Sequence, residues 1–163
     1  MKRSFTLVTF ALMTLAAHAE LGSIDRVTIL QGKRTSNVGS PEGCLRSVDN
    51  ILLGIRSNPA NISFIIQGHI QMAPRRVREL KIGLYGKRTG RAPFDIAIFN
   101  YRSNQWVSMG TLTLPENRLG GHVAIATGIL RDYFSPLHQY SVRISGFGVN
   151  TISLDRFGCY ATP

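Results

Sequence analysis

The sequence predicts an all-β fold, a jelly-roll-like antiparallel sandwich of about nine strands. Three observations predict it: apolar and polar residues alternate with period two in short segments, turn-forming residues separate those segments, and no long stretch shows helical periodicity. The chain has 163 residues, enough for a single domain with its own core. Hydrophobic residues make up 44% and charged residues 17%, which excludes a disordered polypeptide.

The first 19 residues stand apart from this pattern. Met1-Lys2-Arg3 is basic, Phe5 to Ala17 is apolar, and Ala17-His18-Ala19 is the small-x-small pattern of a signal-peptide cleavage site. The apolar run falls short of the roughly 18 residues that span a bilayer, so it reads as a cleaved signal peptide rather than an anchor. The expected product is residues 20–163, a single domain exported to the periplasm or beyond. In that oxidising setting Cys44 and Cys159, an isolated pair far apart in the chain, are expected to form a disulfide that ties its two ends together.

Within the domain the expected strands are Arg26 to Gln31, Ile51 to Arg56, Ile62 to Ile70, Val77 to Tyr85, Pro93 to Tyr101, Gln105 to Leu114, His122 to Thr127, Gln139 to Ser145 and Asn150 to Leu154. Between them lie the glycine-, proline- and asparagine-rich turns of 32–43, 58–59, 86–91, 102–104, 115–121 and 146–148. Alternation places Tyr140, Val142 and Ile144 inside, with Ser141, Arg143 and Ser145 outside. Leu80, Ile82 and Leu84 are placed inside in the same way, with Glu79, Lys81 and Gly83 outside.

The segment 100–110, NYRSNQWVSMG, holds the only tryptophan. Phe94, Ile96 and Ile98 alternate toward the core, Arg102-Ser103-Asn104 turns the chain, and Trp106 begins the return strand. Two roles are open for the indole. It can cover the end of the core while Tyr101, Arg102 and Asn104 at the tip meet a ligand, which is the expected arrangement, or it can offer its face to a sugar ring.

The succession VTILQGKRTSN, CLRSVDNILLGIRS, DIAIFNYRSNQWVSMGTLTL and YSVRISGFGVNTISLDRFG resembles the secreted bacterial β-sandwich domains of the galactose-binding-like, carbohydrate-binding-module type. The resemblance rests on strand and turn patterns and spans nearly all of residues 20–163. It implies a carbohydrate-binding or adhesive module, with a structural calcium near the place where the chain ends meet. Asp49 and Asp155 occupy matching framework positions.

Catalytic patterns are absent from the sequence. Hydrolysis of a glycoside needs two facing carboxylates, whereas the nine acidic residues are scattered singly. No G-x-S-x-G, H-E-x-x-H or phosphate-binding glycine loop occurs, and His69, His122 and His138 fall on separate segments. The formal net charge is +10; without Lys2 and Arg3 it is 17 basic against nine acidic residues, or +8. Arg75, Arg76, Arg78 and Lys81 precede or open one strand, and Lys87, Arg88 and Arg91 follow it. These seven are the candidate contacts for an anionic polymer, unless they are a solvated edge that discourages strand-to-strand aggregation. No base-reading motif accompanies them, which excludes sequence-specific nucleic-acid recognition. The expected function is non-catalytic binding of carbohydrate or an anionic cell-surface polymer, the alternative being an adhesive or structural envelope protein that contacts other protein.

Overall fold

A computed structural model describes residues 19–35, 38–46, 49, 51–90 and 92–163. The expected signal peptide up to His18, and Arg91, lie outside the described residues. The strands are β1 (Glu20–Leu21), β2 (Arg26–Gln31), β3 (Lys33–Arg34), β4 (Leu53–Arg56), β5 (Asn61–His69), β6 (Glu79–Thr89), β7 (Phe94–Asn100), β8 (Gln105–Leu112), β9 (Gly120–Ile125), β10 (Gln139–Phe147) and β11 (Thr151–Thr162). The nine expected segments are all present. The two additional strands, β1 and β3, have two residues each, too short for alternation to reveal.

The strands form two antiparallel sheets. One runs β3-β4-β11-β6-β9 with β1 also paired to β11, and the other runs β2-β5-β10-β7-β8. From β4 onward, consecutive strands alternate between the sheets except at the β7–β8 hairpin, as in a jelly roll. Tyr140, Val142 and Ile144 of β10 are wholly buried against Leu80, Ile82 and Leu84 of the opposing sheet, in one core with Phe64, Phe94, Ile152 and Phe157. Burying each such side chain contributes about 1.5 to 3 kcal/mol, so this layer dominates stability.

A β-bulge decides which residues of β11 reach solvent. Ile152 and Leu154 point inward, but the register against β6 shifts between Leu154 and Arg156, and Asp155 is the extra residue, fully buried. Beyond it the phase is inverted: Phe157, Cys159 and Ala161 are buried, while Arg156, Gly158 and Tyr160 take the outer face. A continuous strand would have turned Tyr160 into the core.

The disulfide expected between Cys44 and Cys159 is absent, because both are free, buried thiols. Cys44 lies in the 3₁₀ turn Gly43–Leu45, where its Sγ donates to the Val38 carbonyl at 3.5 Å. Cys159 is packed on the inner face of β11, and burial pushes its thiol up, so it stays protonated. Each cysteine acts as a small apolar core residue.

Candidate functional site

The outer face of the six-stranded sheet carries a trough of about 350 Å³. Its floor comes from a repeated tripeptide, Gly83-Leu84-Tyr85 in β6 and Gly158-Cys159-Tyr160 in β11. The strands are antiparallel and the glycines pair, so Tyr85 stands opposite Arg156 and Tyr160 opposite Lys81. The two tyrosines therefore occupy diagonal corners, each with a cation beside it and the paired glycines between. Strand β9 completes the grid, since Gly121, Val123 and Ile125 pair with Tyr85, Gly83 and Lys81.

Glycine is needed at the floor for space. A Cβ on Gly158 would lie 2.6 to 2.7 Å from the Tyr160 ring and hydroxyl, and one on Gly83 would lie 3.1 Å from the same ring. The Tyr160 ring thus rests over both glycines. Val123 and Ile125, exposed by 60% and 54%, form an apolar rim. On the polar side Lys81 is held by Glu79 at 2.9 Å, and Arg156 has no ion pair among the described residues. His122, between the outward-facing Gly121 and Val123 and paired with the inward-facing Leu84, turns the other way and reaches Thr113 just beyond β8. Its Nδ1 accepts the Thr113 N–H at 3.3 Å, which fixes the neutral-ring proton on Nε2, and burial holds the imidazole below its usual range. The trough thus offers ring surface with hydrogen-bonding groups at its edges and no acidic lining residue.

Trp106 lies on the opposite outer face. Phe94, Ile96 and Ile98 do point inward, but Trp106 pairs with Phe99, and it is Val107 that packs on the core. A bulge between Ile96 and Ala97 adds Met109 to the return strand. The indole is half-buried in an aromatic row: Phe99 meets Trp106 and Tyr101 edge-on, with centroids 5.2 and 5.0 Å apart. The Arg143 guanidinium lies 4.7 Å from the Trp106 centroid. Tyr101 joins this row and bonds Ser141 at 3.0 Å through its hydroxyl, with Gln67 also donating to Ser141. Ser141 is thereby buried although it sits on an outer face. Arg102 and Asn104 are carried away to the exposed tip. There Asn100 caps the turn by accepting the N–H groups of Arg102 and Ser103, and Asn104 adopts φ 56°.

The seven basic candidates separate. Arg75 and Arg76 lie in the 3₁₀ turn Pro74–Arg76, with Arg78 just beyond, all exposed. Lys81 belongs to the trough, and Lys87 faces outward at the far end of β6 beside Ser153. Arg88 spends its guanidinium on the carbonyls of Leu114, Gly90 and Ala92. Among the described residues no continuous basic stripe runs along β6.

Sequence reading did not find Tyr85, Tyr160, Gly158 or Arg156. The available signal was the change of apolar phase across Asp155, from Ile152 and Leu154 to Phe157 and Cys159, together with the twice-occurring Gly-x-Tyr. One further cluster invites a catalytic reading. Ser23 Oγ lies 2.8 Å from His69 Nδ1, and Asp25 lies 2.9 Å from the same nitrogen. A serine relay needs the two groups on different ring nitrogens, so this trio cannot pass a proton from serine through histidine to aspartate. It fastens the segment before β2 to β5. Burial pushes Asp25 up, but hydrogen bonds from His69 and Ser23 outweigh it and hold the carboxyl below its usual value.

Among the described residues the calcium implied by the sequence resemblance finds no cage. Calcium takes about six to eight oxygen ligands, usually several from carboxylates. Among the described residues no three His, Cys, Asp or Glu side chains come together. Near the chain start, the carboxylate of Glu20 is occupied by the backbone N–H groups of Gln71 and Met72. Among the described residues, no helix is long and apolar enough to cross a membrane.

No protein-family model and no curated protein sequence matches the chain. Solved structures do. The chain is similar to TmCBM61 in complex with β-1,4-galactotriose, at 10% identity and TM-score 0.45, over 88% of each chain. It is also similar to CBM29-2, a family 29 carbohydrate-binding module complexed with mannohexaose, at 13% identity and TM-score 0.44, over 83% of this chain and 91% of that one. A third is CpGH89CBM32-6 of Clostridium perfringens, at 14% identity and TM-score 0.45, over 84% and 94%. At these TM-scores and identities they assign this chain no ligand and no binding residue.

Proposed function

We propose that the protein is an exported, non-catalytic binder of carbohydrate, and that the trough on the six-stranded sheet seats the sugar. The observation that carries this reading is the in-register pair of Gly-x-Tyr tripeptides, which lays the Tyr160 ring over the paired glycines Gly83 and Gly158 and sets the Tyr85 ring at the diagonal corner. A pyranose presents C–H faces that pack on aromatic rings and a belt of hydroxyls that needs donors and acceptors. Tyrosine supplies both kinds of surface, and Arg156 and Lys81 supply further polar contacts at the edge. The volume, about 350 Å³, is at the lower end of the roughly 300 to 1,000 Å³ usual for ligand sites, and suits a short stretch of an open-ended chain.

The exposed Val123, Ile125 and Leu21 on the same face favour a second reading, adhesion to another protein. An array of neutral and acidic glycans, probed with the purified domain, separates the two. Selective retention of one linkage type, competed by the soluble oligosaccharide, supports the sugar reading. Absence of binding across the array overturns it in favour of adhesion.

A further inference from the structure

We propose that the protein has a second, independent binding site, an arginine-walled cleft at one end of the sandwich that takes the carboxylate or sulfate groups of an acidic polysaccharide. The turn Pro74–Arg76 packs against the 3₁₀ turn Leu130–Tyr133, and between them opens a cleft of about 320 Å³. Arg75 and Arg78 line it from one side and Arg131 from the other, with Pro74, Ile129 and Leu130 as its apolar wall. Two segments more than fifty positions apart thus bring guanidinium groups to one opening. All three arginines are exposed, and no acidic residue lines the cleft. Arg75 and Arg78 have no ion pair to any described residue. Arg131 shares Asp132 with Arg102 at the loose distances of 3.7 and 3.8 Å, and Glu79, next in sequence to Arg78, is held by Lys81. The cleft is therefore short of negative charge, and guanidinium forks match planar or tetrahedral oxyanions.

The apolar wall decides the occupant. Ile129 is 56% exposed beside the arginines, so the ligand that fits presents ring carbons and an anion together, as a uronate or a sulfated sugar does. A nucleic-acid duplex engages a track of successive phosphates. Along β6 the basic surface does not continue as such a track, because Lys81 is paired and Arg88 is committed to backbone carbonyls. No aromatic residue lines the cleft to stack a base.

The test is a binding titration of the whole domain with dextran sulfate, polygalacturonate, uncharged dextran and a short DNA duplex, across a salt series. Binding to both acidic polysaccharides and not to dextran is expected. The triple variant Arg75→Gln, Arg78→Gln, Arg131→Gln should lose at least about tenfold in affinity and flatten the salt dependence. A control with the same charge change elsewhere, Arg26→Gln, Lys33→Gln, Arg118→Gln, should lose less than about twofold. Equal losses in the two variants would reduce the effect to net charge and overturn the site, as would equal binding of uncharged dextran or tighter binding of the duplex. All replaced residues are exposed, so the variants should melt with the native protein. Gly121→Leu, which blocks the trough, should leave dextran sulfate binding intact, so that failure of one site does not decide the other.

Discussion

On the outer face of the five-stranded sheet the aromatic rings lie against one another and against a cation, whereas on the six-stranded sheet two tyrosines stand apart over glycine. Phe99, Tyr101 and Trp106 touch edge-on, and Arg143 covers the indole. Tyr85 and Tyr160 make no ring contact within the aromatic geometry seen elsewhere among the described residues, and the positions between them are Gly83 and Gly158. Similar residue types thus serve two purposes. Rings whose surfaces are shared with neighbours contribute to stability, and rings that lie over glycine keep a face for a ligand. The lone tryptophan belongs to the first group, and the sugar site is assigned to the second.

The sharpest break in this comparison is a double substitution, Tyr85→Ala with Tyr160→Ala. It should weaken glycan binding by tenfold to a hundredfold per ring, about 1 to 3 kcal/mol each, as measured by calorimetric titration, with thermal unfolding little changed. The mirror experiment is Trp106→Ala. Loss of its edge contact with Phe99 and of the Arg143 cation should lower stability by about 2 kcal/mol in a urea titration and leave glycan affinity alone. A Trp106→Ala protein with native stability and no binding would exchange the roles of the two faces.

A smaller effect sharpens the account of the hairpin tip. Asn104 holds φ 56°, a region that asparagine tolerates and alanine does not, so Asn104→Ala should cost about 1 kcal/mol while Asn104→Gly costs little. The smallest effect lies at His122, on the inward side of β9. Burial depresses the His122 pKa below 6.5, so the unfolded chain takes up a proton that the folded one refuses. The stability this gives is complete above about pH 6.5 and declines as the pH falls from there through the depressed folded value. The His122 ring resonances followed by NMR should show a midpoint below 6.5; a midpoint above it would contradict the Thr113 hydrogen bond that uses Nδ1 as acceptor.

Period-two alternation was enough to place the nine longer strands and the inward faces of β6 and β10, because one buried face per sheet imposes that pattern. It failed where the phase changes. Reading β7 onward with unbroken alternation sent Trp106 to the core, although the turn pairs Phe99 with Trp106 and Ile98 with Val107 and so puts Val107 there instead. Ending the last strand at Leu154 hid Arg156, Gly158 and Tyr160, which reach the outer face only because Asp155 is an extra residue. Neither bulge has a local composition that marks it. The cysteine pair misled for another reason: an even count and an expected export signal are arguments about compartment, and they say nothing about whether two buried sulfurs face each other. The end cleft was half legible, since Arg75, Arg76 and Arg78 were singled out, but Arg131 joins them only through the fold.

The claim that the trough seats a sugar is tested most directly at Gly121. It lines the trough without occupying a strained backbone conformation, and a Cβ there meets nothing nearer than the Leu84 carbonyl at 3.8 Å. Gly121→Leu therefore fills the site with side chain at no steric cost to the strand, and leucine suits a strand better than glycine. Titration of this variant with the tightest-binding oligosaccharide from the glycan array, beside a thermal melt, should show at least about tenfold weaker binding in a protein that melts at or above the native temperature. Native affinity in a Gly121→Leu protein that is fully folded would contradict the account.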